Sequence, residues 1–354
     1  MNQKKIIGIA IGITFIQIIL MLIVQIERTT NNPIYAYSKL FQWDSEHYQE
    51  IVENPYTEES AAFFPSYSIF SRVLSIIMPS KYAMIITAQI ACVLFWFCFI
   101  ILLRKWGIPI ALPIALVIAH PASFFLVVAY SESVFCASII CFIYSTYTSK
   151  NLLAIISGIT MGLTRIVGLP MSILPILLKK TRIASIGPIL GVIIFFLFLF
   201  IRFGNWDQYL IAQQTGWSFK TDYLFFLHPP KWLFFPWAYT KNVIVDYTGS
   251  TIIVDPNANS RWITSITLYL SLLSTIVGKR VIAICAIGMF YICLAAMIDN
   301  ALQSMMRYML VIHVLIVLAT AHRLKNIFWW ILPIVSSPIM LIYAKKFIEG
   351  SWVA

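Results

Sequence analysis

Apolar residues run almost unbroken along this chain, and the runs recur at a length that suits a lipid bilayer. They cover 6–25, 82–103, 108–128, 133–147, 152–178, 183–203, 262–277, 281–298, 305–321 and 326–343. Roughly 20 such residues carry a helix across the hydrocarbon core, so the pattern predicts a polytopic helical membrane protein. The run at 152–178 has Arg165 near its midpoint, with Gly162, Gly168 and Pro170 around it. A hairpin of two short helices with Arg165 at the tip avoids burying a charge inside one long helix. Counting that hairpin twice gives about eleven membrane helices. Lys4 and Lys5, Arg104 and Lys105, Lys150, the Lys179, Lys180 and Arg182 group, Lys279 and Arg280, and Arg323 with Lys325 then all fall on one side, the cytoplasmic side by the positive-inside rule. The N-terminus is expected inside and the C-terminus outside. The opening MNQKK has the charge of a signal peptide, but the run behind it is of spanning length and lacks a small-residue cleavage site, so an uncleaved first helix is expected.

Two long non-spanning segments, 27–81 and 205–261, share the outer side. Within the first, residues 41–72 hold Asp44, Glu46, Glu50, Glu53, Glu58 and Glu59, six of the chain's 14 acidic residues. The second contains an aromatic, amphipathic stretch (WDQYLIAQQTGWSF), a proline-broken HPPKWLFFPW, and VDYTGSTIIVDPNANS, whose Gly, Pro, Asn and Ser read as loop. No soluble domain, fixed-period repeat or low-complexity tract interrupts the chain, and residues 1–354 read as a single membrane domain.

Composition sharpens the class. The chain is 60% hydrophobic and 11% charged, with a mean hydropathy of +0.85, too little charge to cover a soluble surface. The net charge of +11 is scattered at the ends of apolar runs rather than gathered in a stripe, which argues for topology signals and lipid contacts and against nucleic acid. All six cysteines (Cys92, Cys98, Cys136, Cys141, Cys285, Cys293) lie inside apolar runs without metal or redox spacing, so disulfides are not expected.

Candidate chemistry sits in the few polar islands. A short helix over 43–53 would put Asp44, His47, Tyr48 and Ile51 on one face, so that an acid and an imidazole look into one cavity. Asp44 equally suits a plain N-cap, and Glu58 suits a solvated rim. Phe63 and Phe64 would anchor the loop, with Pro65 steering the chain back. In HPASFFLVVAYSES at 120–133, Glu132 starts a helix behind Ser131. That is a complete capping signal, and it also brings an acid to the same cavity. Arg165 and Arg307 stand beside apolar runs, where a charge needs a partner unless it snorkels to the interface. A lipid phosphate is one such partner, bound bidentately by guanidinium.

Together the islands WDSEHY (43–48), AFFPSYSIFSR (62–72), HPASFFLVVAYSES (120–133), GLTRIVGLP (162–170) and RYMLVIHVLIVLA (307–319) resemble, in order and spacing, the PIG-V-like family of membrane mannosyltransferases. The eukaryotic member of that family adds the second mannose to the GPI anchor, and it has prokaryotic relatives. The resemblance implies an all-α GT-C glycosyltransferase fold whose first outer loop carries the catalytic acid, with a polyprenyl-phosphate sugar as donor and a glycolipid or glycan as acceptor. It maps the family's WD aspartate onto Asp44 as general base, with His47 and Glu132 beside it. Arg165, Arg307, Tyr308 and Arg72 would bind the donor phosphate, and Trp43, Glu59 and Tyr130 would line the substrate. No metal is required, although a divalent cation is left open. The protein is expected in a prokaryotic cell membrane, or the endoplasmic reticulum of a eukaryote, with its site on the outer or luminal face among membrane lipids. The need for a partner subunit stays open. The shortness of the chain leaves the GPI acceptor open too. A transporter or flippase of lipid-linked sugars is the alternative from another class, and would want paired broken helices.

Overall fold

The structure, a computed structural model, describes residues 2–25, 33–219, 221–238, 243–247, 250–254 and 258–297, together with 302, 304–351 and 353. The helices follow the apolar pattern: α1 Gln3–Ile23, α2 Pro33–Ser38, α3 Asp44–Glu53, α4 Ser66–Ser75, α5 Ser80–Lys105, α6 Ala111–Ile118, α7 Glu132–Tyr147, α8 Asn151–Gly162, α9 Ile173–Leu177, α10 Ile186–Phe203, α11 Gln208–Trp217 and α12 Lys231–Phe234. A hairpin of strands β1 Val243–Tyr247 and β2 Ser250–Val254 precedes α13 Ala258–Val277, α14 Arg280–Met297, α15 Met305–Thr320 and α16 Ile331–Ile348. Among the described residues, six helical stretches are long and apolar enough to cross a membrane: Gln3–Ile23, Ser80–Lys105, Arg182–Phe203, Arg280–Met297, Met305–Arg323 and Ile327–Ile348. The protein is therefore an α-helical membrane protein by helix length and composition.

The basic clusters come together at one end of the bundle. Lys279 donates its backbone N–H to Ala319 at 2.9 Å, and Arg323 Nε donates to the Val277 carbonyl at 3.3 Å. Lys279 Nζ lies 4.5 Å from the Trp106 ring centre, and Trp106 lies 5.1 Å from Tyr147. Gln3 and Lys150 flank one groove at the same end. The opposite end is built on short helices. By the rise of 1.5 Å per residue, α7 and α8 are about 24 and 18 Å long, against about 39 Å for α5 and a hydrocarbon core of about 30 Å. Groups at the far ends of α7 and α8 are thus recessed below the level that α5 reaches.

Three expectations need correction. The run at 108–128 does not form a continuous helix. It breaks after α6 and passes through the 3-10 turn Ser123–Leu126, because Pro121 supplies no backbone N–H and disfavours helix at His120. The stretch read as loop around VDYTGSTIIVD contains the antiparallel hairpin, in which Val243 pairs with Val254 and Tyr247 with Ser250. Its β-branched residues outweighed the turn residues around them. The segment at 152–178 does turn at Arg165, whose φ of −161° is extended, but its returning limb is mostly the 3-10 stretch Ile166–Ser172 before α9. Pro170 interrupts helical hydrogen bonding there.

Helix α8 packs on α10 through small residues that hydropathy alone passes over. A Cβ added at Gly162 would stand 2.3 Å from the Pro188 carbonyl oxygen, and one at Gly191 would stand 2.4 Å from that of Ile159. Both residues belong to a small-xxx-small face that lets two backbones touch. Gly191→Val is expected to lower stability by about 1–3 kcal/mol through overpacking, read as a lowered Tm in detergent. Gly12→Val is the control, since nothing lies within 4 Å of the added carbon. Equal Tm values for the two variants would show that the α8–α10 approach is not tight.

Candidate functional site

Four charged side chains from four separate segments meet at the recessed end of the bundle. The chain enters α3 through Trp43, whose φ of 53° is a conformation that L residues rarely adopt. This turn makes Asp44 the first helical residue. Its carboxylate does not cap α3: Oδ2 accepts a hydrogen bond from Arg307 Nη1 at 2.7 Å. Among the described residues no hydrogen bond reaches Asp44 Oδ1. Arg307 stands on the first turn of α15, 263 residues away in sequence.

Glu132 opens α7 and is fully buried. Its Oε1 lies 3.0 Å from Arg307 Nε, close enough for an ion contact although the N–H is not aligned for a hydrogen bond. The same oxygen accepts from Arg165 Nη2. Ser131 does not use its hydroxyl as a cap either. It accepts from Arg165 Nη2 at 3.0 Å and shares a 2.8 Å hydrogen bond with the Tyr48 hydroxyl. Burial pushes the Tyr48 phenol up to about 12, against the pull of Arg165, so the ring stays neutral and keeps that hydrogen bond at physiological pH. Aromatic faces cover the guanidiniums: Arg165 lies 4.7 Å from the Tyr308 ring centre and Arg307 lies 5.1 Å from that of Tyr130, distances at which cation–π attraction acts.

Besides Asp44 Oδ1, two more polar atoms of this cluster are uncommitted. Arg165 Nη1 and Glu132 Oε2 are buried without a hydrogen-bond partner among the described residues. Arg165, Asp44 and Arg307 all line a narrow cleft of about 70 Å³. A second hollow of about 320 Å³ adjoins it, the two sharing Ile166, Val167, Tyr209, Gln213, Phe219 and Tyr308 as walls. Helix α11 closes one side of the cleft with Tyr209, Gln213 and Trp217. Its Gln213 amide donates to the Ala62 carbonyl at 2.9 Å, tying the helix to the loop that carries Phe63 and Phe64.

The structure thus brings Asp44, Glu132, Arg165, Arg307 and Tyr308 together and sets the other expected residues apart. His47 lies between Phe63, stacked at 5.0 Å, and Trp217, edge-on at 5.4 Å, and makes no hydrogen bond to Asp44. Tyr130 is buried behind Arg307 and does not line the cleft. Trp43, 40% exposed, and Glu59, exposed on the rim, also lie outside it. Arg72 is spent on the end of α3, where it donates to the carbonyls of Ile51, Val52 and Asn54. A cation there complements the helix dipole. Nearby, hydrogen bonds from Ser80 and Gln49 hold the Glu53 carboxyl below its usual range. The walls contributed by α11 were not expected as site residues, although the aromatic and amide content of WDQYLIAQQTGW was the available signal. Among the described residues there is no group of three or more His, Cys, Asp or Glu able to hold a metal ion.

Comparison of the chain with protein-family models, with curated proteins and with solved structures returns no match.

Removing one partner of a buried ion cluster strands the others. Glu132→Gln is expected to cost about 3–5 kcal/mol, read as a large fall in Tm, whereas Glu59→Gln on the rim should stay within about 0.5 kcal/mol of wild type. A Glu132→Gln protein as stable as wild type would show that the two arginines do not depend on it.

Proposed function

We propose that the protein is a membrane glycosyltransferase of GT-C type that moves a hexose, mannose being the first candidate, from a polyprenyl-phosphate carrier to a glycolipid or glycan hydroxyl. The observation that carries this reading is the convergence of two acids and two arginines beside a recessed cleft that Asp44, Arg165 and Arg307 line, with one oxygen of Asp44 and one nitrogen of Arg165 left uncommitted. Buried ion pairs seldom improve stability over apolar packing, and ionisable groups at membrane depth are functional candidates by default. The cleft offers a base and an anion site side by side, which is what displacement of a lipid phosphate from a sugar requires. The motif resemblance supplies the substrate class, and with it the eleven-helix topology and the outer-face placement of the site.

In this reading Asp44 Oδ1 accepts the proton of the acceptor hydroxyl as its oxygen attacks the anomeric carbon from the face opposite the phosphate. The new C–O bond forms as the bond from the anomeric carbon to the phosphate oxygen breaks. The electron pair leaves with the lipid phosphate, and the sugar configuration inverts. The Arg165 guanidinium meets the charge that accumulates on the departing phosphate, and Arg307 holds Asp44 in its orientation. Glu132 acts through the arginines by fixing both guanidiniums. The leaving group is already a stable anion, so a strong acid is not needed. The adjoining hollow, with the Tyr209 and Tyr308 rings and the Gln213 amide, suits a sugar. At about 320 Å³ it is within the usual range of small-molecule sites. A transporter of lipid-linked sugars would place its polar groups near midplane between paired broken helices, whereas this cluster sits at one end of the bundle.

The test is transfer from synthetic labelled polyprenyl-phosphate mannose to a membrane lipid extract by protein purified in detergent. Asp44→Asn is expected to lower transfer by at least about 10²-fold, the low end for loss of a general base, while donor binding persists. Retained turnover would remove Asp44 as the base. Arg165→Ala is expected to weaken donor binding by about 10-fold or more, the size of one charge-assisted hydrogen bond. Unchanged donor affinity would leave the arginine a structural role only.

A further inference from the structure

A hollow outside this site lies where α4 meets α10 and opens sideways from the bundle. It measures about 410 Å³ and is walled by Ile69, Leu163, Ile194, Phe195 and Phe198, with Arg72 and Arg202 at its rim. The rings of Phe64 and Phe195, packed at a tilt with centres 4.3 Å apart, separate it from the cleft. Ile69, Ile194 and Phe198 are exposed on the outside of the helices, so the hollow is open to whatever surrounds the bundle. Arg202 stands at the end of the apolar stretch Arg182–Phe203, at headgroup level when that stretch crosses a bilayer. Ile194, eight residues deeper, lies about 12 Å further toward the hydrocarbon.

The charge at the rim is one-sided. No carboxylate lines the hollow. Arg202 is exposed and makes no hydrogen bond or ion pair among the described residues, resting only 6.0 Å from the Phe203 ring centre. Arg72 spends Nε and Nη2 on the end of α3, and among the described residues its Nη1 makes no hydrogen bond. Two other polar side chains that reach the hollow are spent as well: the Tyr56 hydroxyl donates to the Phe63 carbonyl at 2.9 Å and the Ser68 hydroxyl to that of Tyr48 at 3.4 Å. The hollow therefore asks for a molecule that is apolar along its length and anionic at the end held by the rim.

We propose that this hollow binds an anionic glycerophospholipid, with one acyl chain lying between α4 and α10 and its phosphate on Arg202 and the free edge of Arg72. Guanidinium suits phosphate through paired donors, and the chain fills a slot that water would wet poorly. The proposal is independent of the transfer reaction, since the two hollows are separate and the lipid is not consumed.

Native mass spectrometry of the full chain in detergent tests it, with equal amounts of palmitoyl-oleoyl phosphatidylglycerol and palmitoyl-oleoyl phosphatidylcholine. Wild type is expected to retain phosphatidylglycerol in preference, and Arg202→Gln to reduce its retention roughly fivefold, the weight of one surface cation against an anionic lipid. Ile194→Trp, which fills the slot from an exposed position and leaves the rim cations in place, should lower retention of both lipids. Equal retention of the two lipids by wild type would overturn the proposal, as would a phosphatidylglycerol preference that survives Arg202→Gln. Displacement of the bound lipid by glycerol phosphate alone would also overturn it, by showing a headgroup site with no seated chain.

Discussion

The contact on which the site depends is the one between Glu132 and two arginines. Its Oε1 touches both Arg165 and Arg307, and with no exposed surface it cannot exchange either for water. Two guanidiniums brought this close would repel each other in a low-dielectric interior. A carboxylate between them turns that repulsion into a fixed spacing. Arg307 can then hold Asp44 with Nη1, and Arg165 can hold Ser131 while one nitrogen stays unspent. Each hydrogen bond or ion contact in the chain from Tyr48 through Ser131, Arg165, Glu132 and Arg307 to Asp44 limits the freedom of the next. The orientation of Asp44 is therefore a property of the whole cluster.

The helices put this cluster where its charges are affordable. Helices α7 and α8 are too short to cross a bilayer alone, so their far ends fall short of the surface that α5 reaches. The recess is roofed by α11, tied down at Ala62, and by the aromatic group of Phe63, Trp217 and His47. The tight α8–α10 approach at Gly162 and Gly191 sits just before the turn that carries Thr164 and Arg165. Packing of these two helices thus fixes the height and direction from which Arg165 reaches Glu132.

Much of the fold was legible because membrane helices are read from the length of apolar runs, and Asp44, Glu132, Arg165 and Arg307 stood out as charges in apolar surroundings. Their partnership was not legible. Asp44 and Arg307 lie 263 residues apart, and one sequence carries no signal for a contact at that distance. Asp44 and Ser131 each had a complete local explanation as helix caps, but a buried cation offers a carboxylate or hydroxyl more than a backbone N–H does. Arg72 went the other way, because its exposed position left it free to cap α3. Tyr130 was expected at the substrate and serves instead as the aromatic floor under Arg307. The α11 walls were missed because an amphipathic stretch between spans reads equally well as a helix resting on the membrane surface.

The proposed chemistry stands or falls on what occupies the cleft lined by Asp44 and Arg165. The most direct measurement is a cryo-electron microscopy structure of the protein with a non-hydrolysable polyprenyl-phosphonate sugar. The account predicts the phosphonate oxygens within hydrogen-bond distance of Arg165, the sugar in the hollow lined by Tyr209 and Tyr308, and its anomeric carbon facing Asp44 across room for one hydroxyl. A ligand bound at the basic end of the bundle, or one whose anomeric carbon faces away from Asp44, would contradict it.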